Sequence, residues 1–421
     1  MGGSHRSGHD LTIETAHGPR RLLLGFLAVV AALSVVGTVW LWPSSDDQPT
    51  HQEFAAEGVS FLTATVVSVA EPCPVIRSDV NAPPEERQSF PEHCNEVVVR
   101  PESGSAKGRE VTVMAGPEAA RAGVEAGDSV RITEIPPAVE GAEPMFTWFG
   151  IERSFPLGLL TIGFVLVVAV VARIRGILAL IGLGFAALVV GKFMLPALMA
   201  GENGTGVALA GSTLIMFVVL YLTHGASIRT STALAGTLVG IAITALLGFW
   251  VVDAARLSGV SDEGAERLSA FVTDISFQGL LMSAVIIAGL GVLNDVTITQ
   301  SSAIWELRAA GPELTRRQLF TSGMRIGRDH IASTIYTIVF AYAGTGLMVL
   351  MLLSLYDRSL LDTLTDSAMA EEVARTLVTA IGLVLAVPVT TAIAAATVSG
   401  PTTSGEQNRA GSDVDAAPKT H

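Results

Sequence analysis

Uninterrupted apolar runs, each close to the length needed to cross hydrocarbon, constrain this chain more than any other feature. A helix needs about 20 apolar residues to span a bilayer. Runs of that order recur at 22–41, 155–172, 174–195, 206–223, 230–252, 277–296, 331–355 and 376–398. Only 15% of the 421 residues are charged, against roughly 25% in soluble domains. The pattern predicts an all-α polytopic membrane protein of about eight transmembrane helices. A soluble enzyme or a nucleic-acid-binding protein is excluded as a class.

The first run follows Arg20-Arg21 and ends among Trp40, Trp42 and Pro43. A cleaved signal peptide has a shorter core and small residues at its exit. Residues 22–42 therefore read as an uncleaved anchor, and residues 1–21 and 399–421 as disordered tails. Arginine placement orients the chain. Arg173, Arg175, Arg229, Arg308, Arg316, Arg317, Arg325 and Arg328 fall in loops on one side. Asp253, Asp262, Glu263, Glu266, Asp357, Asp362, Asp366, Glu371 and Glu372 fall on the other. Both termini are expected in the cytoplasm, with residues 43–153 outside. Trp40, Trp42, Trp148 and Trp250 lie near the expected outer interface, which suits their amphipathic rings.

The formal charge of −13 is concentrated in that outer block. Residues 44–153 hold 19 acidic against 8 basic side chains, a net of −11. Such a surface repels nucleic acid and keeps the block soluble. Segments 63–69, 96–100, 110–114 and 129–135 are rich in Val, Ile and Thr, and Gly or Pro clusters separate them. They predict a small extracytoplasmic β domain between the first and second spans, OB-like or similarly compact. The only two cysteines, Cys73 and Cys94, fall here. In an oxidising compartment a disulfide between them is expected. A metal site built from Cys73, His93 and Cys94 is the weaker alternative, and no metal is assigned.

Polar groups inside lipid are costly, so their presence marks function or an internal pairing. If the sixth run continues as helix to Gly311-Pro312, then Gly291, Asp295, Thr299, Ser302 and Glu306 share one face. Asn294 lies beside Asp295. The seventh run opens with Arg328-Asp329-His330, and Ser333, Thr334 and Thr337 follow on the His330 side. Asp295, Asn294, Thr299, Ser302, Glu306, Asp329, His330 and Thr334 are thus candidates to line a path for a small solute or ion. The bland reading is that Asp295 pairs with Arg325 or Arg328 and fixes two helices together.

Thr232, Gly236, Gly240, Thr244 and Gly248 recur every fourth residue in the fifth run. Such a small-residue stripe lets a neighbouring helix approach closely. Gly236, Gly240 and Gly248 are expected to be packing positions, and the stripe offers a route to homo-oligomerisation. Pro196 and Pro388 predict bends. No zinc-protease, serine-hydrolase or Walker motif occurs. Asp295 and Asp329 lack a glycine-framed aspartyl motif, so no catalytic residue and no cofactor is assigned.

Several segments resemble the YibE/F-like family of bacterial multi-pass membrane proteins. They are Tyr221-Leu222-Thr223-His224-Gly225, the stretch from Gly291 to Leu307, Met324 to Thr334, Arg375 to Val378, and Gly382 to Pro388. The likeness runs from Arg153 to Ala395, and the outer block is similar only through Gly127–Val130 and Phe149–Arg153. Glu152 stands where an aspartate is expected. The resemblance implies a seven-helix membrane domain over 154–398 in a bacterial plasma membrane; it supplies no substrate, cofactor or catalytic residue. The expected function is a transporter or permease of a small solute or ion, with the path between the sixth and seventh spans. The alternative is a non-transporting envelope scaffold or sensor whose β domain binds a partner or ligand.

Overall fold

The computed structural model describes residues 15–43, 56, 58–71, 95–137, 142–260, 263–271, 275–355 and 359–399. Cys73, His93 and Cys94 lie outside them, as do residues 1–14 and 400–421, where most of the two expected tails fall. The chain divides into two compact units, Thr50–Val168 and Met1–Pro49 with Ala169–His421.

The smaller unit is built on one antiparallel sheet of β1 (Ser60–Val69), β2 (Glu96–Pro101), β3 (Val111–Met114), β4 (Ser129–Ile135) and β5 (Met145–Ile151), in the order β3-β2-β1-β4-β5. Three consecutive strands and a fourth that returns beside the first make a Greek key. The short helix α2 (Pro117–Arg121) fills the return, and the edge strands β3 and β5 approach each other. This curled five-stranded arrangement is of the OB type. Alternation decides its faces: Leu62, Ala64, Val66, Val97, Val99, Val130 and Ile132 point inward and are buried.

The larger unit is helical. Its main elements are α1 (His17–Trp40), α3 (Ser154–Val189, shared with the other unit), α4 (Leu195–Met199), α5 (Gly204–His224), α6 (Ile228–Ala254), α7 (Glu263–Phe271), α8 (Phe277–Ala310), α9 (Arg316–Thr345), α10 (Leu347–Ser354), α11 (Leu360–Leu364) and α12 (Ser367–Thr397). α1 begins at His17, a turn earlier than its apolar run, so Arg20 and Arg21 are helical rather than part of a disordered tail.

Side chains start these helices where the sequence supplies a cap. Asn203, Ser227 and Ser276 accept from backbone N–H groups at the starts of α5, α6 and α8. Thr315 and Gln318 form a capping box on α9. Gly225, at a φ of 77°, closes α5.

Among the described residues six helices are long and apolar enough to cross a membrane. The difference from eight expected spans arises at two places. The runs 155–172 and 174–195 join into one 46-residue helical stretch. It leaves helical geometry at Arg173, with φ 54° and ψ −137°. The seventh run is divided between α9 and α10, and α9 opens with too many arginines to count as apolar.

At the centre α6 packs against α8 and α12. Gly236 meets Thr390, Gly240 meets Leu293 and Ala386, and Gly248 meets Met282. Lipid tails are as apolar as leucine, so close van der Waals contact rather than burial from water holds such a core. Leu234, Ile241, Ile286, Leu293 and Leu383 fill it and are fully buried. The small-residue stripe is thus occupied within the chain.

Candidate functional site

α8 carries polar residues on two of its faces. One face holds Gly291, Asp295, Thr299 and Glu306, all exposed, with Ser302 half-buried beside them. Asp295 approaches His330 of α9, with Oδ2 and Nε2 3.8 Å apart. The Asp295 side chain is 69% exposed and that of His330 30%. The pair lies between α8 and α9 and is open on the Asp295 side. The carboxylate meets the imidazole, not Arg325 or Arg328. His330 Nε2 is itself buried and, at 3.8 Å from the carboxylate, has no hydrogen bond among the described residues; Asn294 Oδ1 beside it is likewise buried and unpartnered.

Position along α8 follows from the neighbours. Ser301 Oγ donates to the Arg229 carbonyl at 2.8 Å, level with the first turn of α6. Asp295 lies six residues nearer the start of α8, about 9 Å farther along the helix. A carboxylate on a membrane helix is costly, which marks an exposed one as a candidate functional group.

The remaining candidates fall apart from the pair. Asp329 is exposed on another side of α9. Thr334 is buried, and its hydroxyl donates to the His330 carbonyl at 2.9 Å. Thr334 thus packs inward with Gly327 and Ile338, while His330 stands at the contact with α8. Thr337 back-bonds to Ser333 in the same way.

The second polar face of α8 was not foreseen. Gln300 is 2% exposed, and its Nε2 donates to the Gly323 carbonyl at 2.8 Å and the Thr391 hydroxyl at 2.7 Å. One side chain so joins α8, α9 and α12. Gly327 makes room for it, since a methyl group there would meet the Gln300 carboxamide at 3.1 Å, while Gly323 leaves room for Ile304 and Thr391. Next to it, the hydroxyls of Thr297 and Thr237 share a hydrogen bond at 2.6 Å. The signal in the sequence was the Gly323-x-x-x-Gly327 spacing opposite a glutamine.

At the other end of α8 a cavity of about 420 Å³ opens between the starts of α5 and α8 and the end of α6. Glu202, Asn203, Asp253, Ser276 and Gln278 line it, and Met282 lies at its inner side. Beyond Met282 the contacts of Gly240 and Gly248 close the interior. Among the described residues no group of three or more His, Cys, Asp or Glu is placed to hold a metal ion.

Long apolar helices and a membrane-embedded polar core define a polytopic helical membrane protein that carries a small β unit. A family model described as YibE/F-like protein matches residues 160–400, and the chain belongs to that family. Comparison with curated proteins and with solved structures returns no match.

Proposed function

We propose that this protein is a transporter or permease that moves a small solute or ion, most simply a cation, along a path between α8 and α9. The observation that carries the reading is the Asp295–His330 pair between α8 and α9, 3.8 Å apart with the Asp295 side chain exposed. Asp295 binds or relays the cation, with the imidazole of His330 beside it. Thr299, Ser302 and Glu306 continue the polar face toward the end of α8. The cavity at Glu202 and Asp253 supports a second mouth, and the dry contacts of Leu293 with Gly240 fit a closed conformation between the two.

The orientation argued from the arginines also has support. Ala16 N–H donates to the Thr397 carbonyl at 2.9 Å, so α1 begins where α12 ends. A chain that starts and finishes at one face crosses an even number of times. Eight crossings satisfy this, with Arg173 dividing the long stretch and α9–α10 completing one span. Together with the placement of the arginines, this supports a reading in which both termini are cytoplasmic, residues 43–153 lie outside and the membrane is a bacterial plasma membrane.

The test is flux in proteoliposomes. Asp295→Asn should abolish proton-coupled or ion-driven uptake while the protein stays folded. Equal flux in both forms removes Asp295 from the mechanism.

One observation favours the rival reading of a non-transporting scaffold or sensor. The outer face of the sheet presents Phe61 and Phe149 edge to face at 4.9 Å, with Arg131 above both rings. Such a cluster suits a partner or ligand. On that reading, deleting residues 44–153 removes the cellular phenotype, while Asp295 and His330 can be replaced.

A further inference from the structure

The outward face of α9 changes character along its length. Arg317, Thr321, Arg325 and Arg328 follow one another at i, i+4, i+8 and i+11 and are all exposed. The same face continues as Ala332, Ile335, Tyr336, Val339 and Ala343. Tyr336 is 63% exposed and Val339 43%, while Ile335 is half-buried. The opposite face, Leu319, Gly323, Gly327, Thr334 and Ile338, is the one packed into the bundle.

Among the described residues no ion pair joins Arg317, Arg325 or Arg328 to a carboxylate. Asp329 is the acidic group beside them on α9, and three guanidinium groups outnumber it. The apolar part, from Ala332 to Ala343, is about 16 Å long, close to half of a ~30 Å hydrocarbon core. A charged end followed by one leaflet's depth of greasy surface is the outline of a lipid.

From this the geometry points to a binding site for an anionic phospholipid of the inner leaflet, its phosphate headgroup lying along the row of Arg328, Arg325 and Arg317 and its acyl chain laid along Ala332–Ala343. Guanidinium groups bind phosphate oxygens through paired N–H donors and remain charged at any working pH. A soluble anion would use the arginines and leave the apolar half without a role. The site faces away from Asp295 and rests on the orientation proposed above, not on transport.

Native mass spectrometry of the full chain in mild detergent tests it, with phosphatidylglycerol, cardiolipin and phosphatidylcholine of matched acyl chains. The anionic lipids should be retained over phosphatidylcholine by on the order of tenfold or more. Arg317→Gln/Arg325→Gln/Arg328→Gln should bring them to the phosphatidylcholine level, while the corresponding triple lysine variant keeps most of the preference. Asp295→Asn should leave it unchanged, so that failure of transport and failure of lipid binding are told apart. Undiminished lipid binding by the glutamine variant overturns the proposal, as does its loss in a folded lysine variant. Complete displacement of lipid by millimolar inorganic phosphate would reduce the site to one for bare anions.

Discussion

The carboxamide of Gln300 donates to the Thr391 hydroxyl across 2.7 Å in the interior, where neither group meets solvent. Gln300 also donates to the Gly323 carbonyl and Thr391 to the Val387 carbonyl, so removing one partner leaves the other with one bond fewer in the interior, whereas removing both is milder. Gln300→Leu should therefore destabilise the protein by about 1–3 kcal/mol, and adding Thr391→Val should recover part of that loss. Thermal unfolding in detergent of the two single variants and the double variant reads this coupling. Strict additivity would show that the bond has no energetic weight.

Two glycines should respond in opposite directions. Gly236 lies against Thr390, with no space for a methyl group, while nothing approaches Gly291 within 4 Å. Gly236→Ala is expected to cost about 1–3 kcal/mol through overpacking. Gly291→Ala should be neutral or stabilising by up to ~1 kcal/mol, because alanine has less conformational freedom than glycine in the unfolded chain and loses less on forming the helix. Melting temperatures of the two variants decide the matter, and equal values would refute the packing.

Neutralising Asp295 should separate stability from activity. The exposed carboxylate disfavours the embedded state, so Asp295→Asn in a bilayer is expected to raise stability, by about 1 kcal/mol or more. A substitution that strengthens the fold while stopping flux is the signature of a functional group held at a cost. A destabilised Asn variant would instead mean that the pairing with His330 holds α8 and α9 together.

Glu152 gives a pH dependence outside the membrane spans. Its carboxylate accepts from Ser154 N–H at 2.9 Å, and contacts with Ser154 followed by the charge of Arg131 hold its pKa below the ordinary value. A depressed carboxylate stabilises the fold at neutral pH and down to the usual glutamate range, about pH 4.3. That contribution is lost as pH falls further, through the folded value. The effect is small at so exposed a position. Thermal midpoints of the intact protein between about pH 6 and pH 3.5 should fall less steeply for Glu152→Gln than for the native chain.

Much of this was legible in residue order, and the exceptions share a cause. Apolar runs, cap residues and the Gly236–Gly248 stripe act through local geometry, so their spacing alone locates α1, α5, α6, α8 and α12. The stripe Gly291-Asp295-Thr299 was likewise read as one face; that this face is the open one depends on where α9 and α12 lie. Thr297, Gln300 and Ser301 sit among Leu293, Val296 and Ile304, which gave that side an apolar look. Periodicity places Thr334 near His330 but cannot tell inward from sideways when the two differ by less than a quarter turn. β5 was missed as a strand because Trp148, Phe149 and Gly150 read as an interfacial lead-in to α3.

Because Thr15 pairs with Val398, the membrane unit is nearly a closed loop of polypeptide. A short linker between those two positions, with new ends cut in one of the connecting loops, should yield a circularly permuted protein with the same bundle. Reporter fusions at residue 15 and at residue 399 would likewise give the same colour, whichever compartment that proves to be.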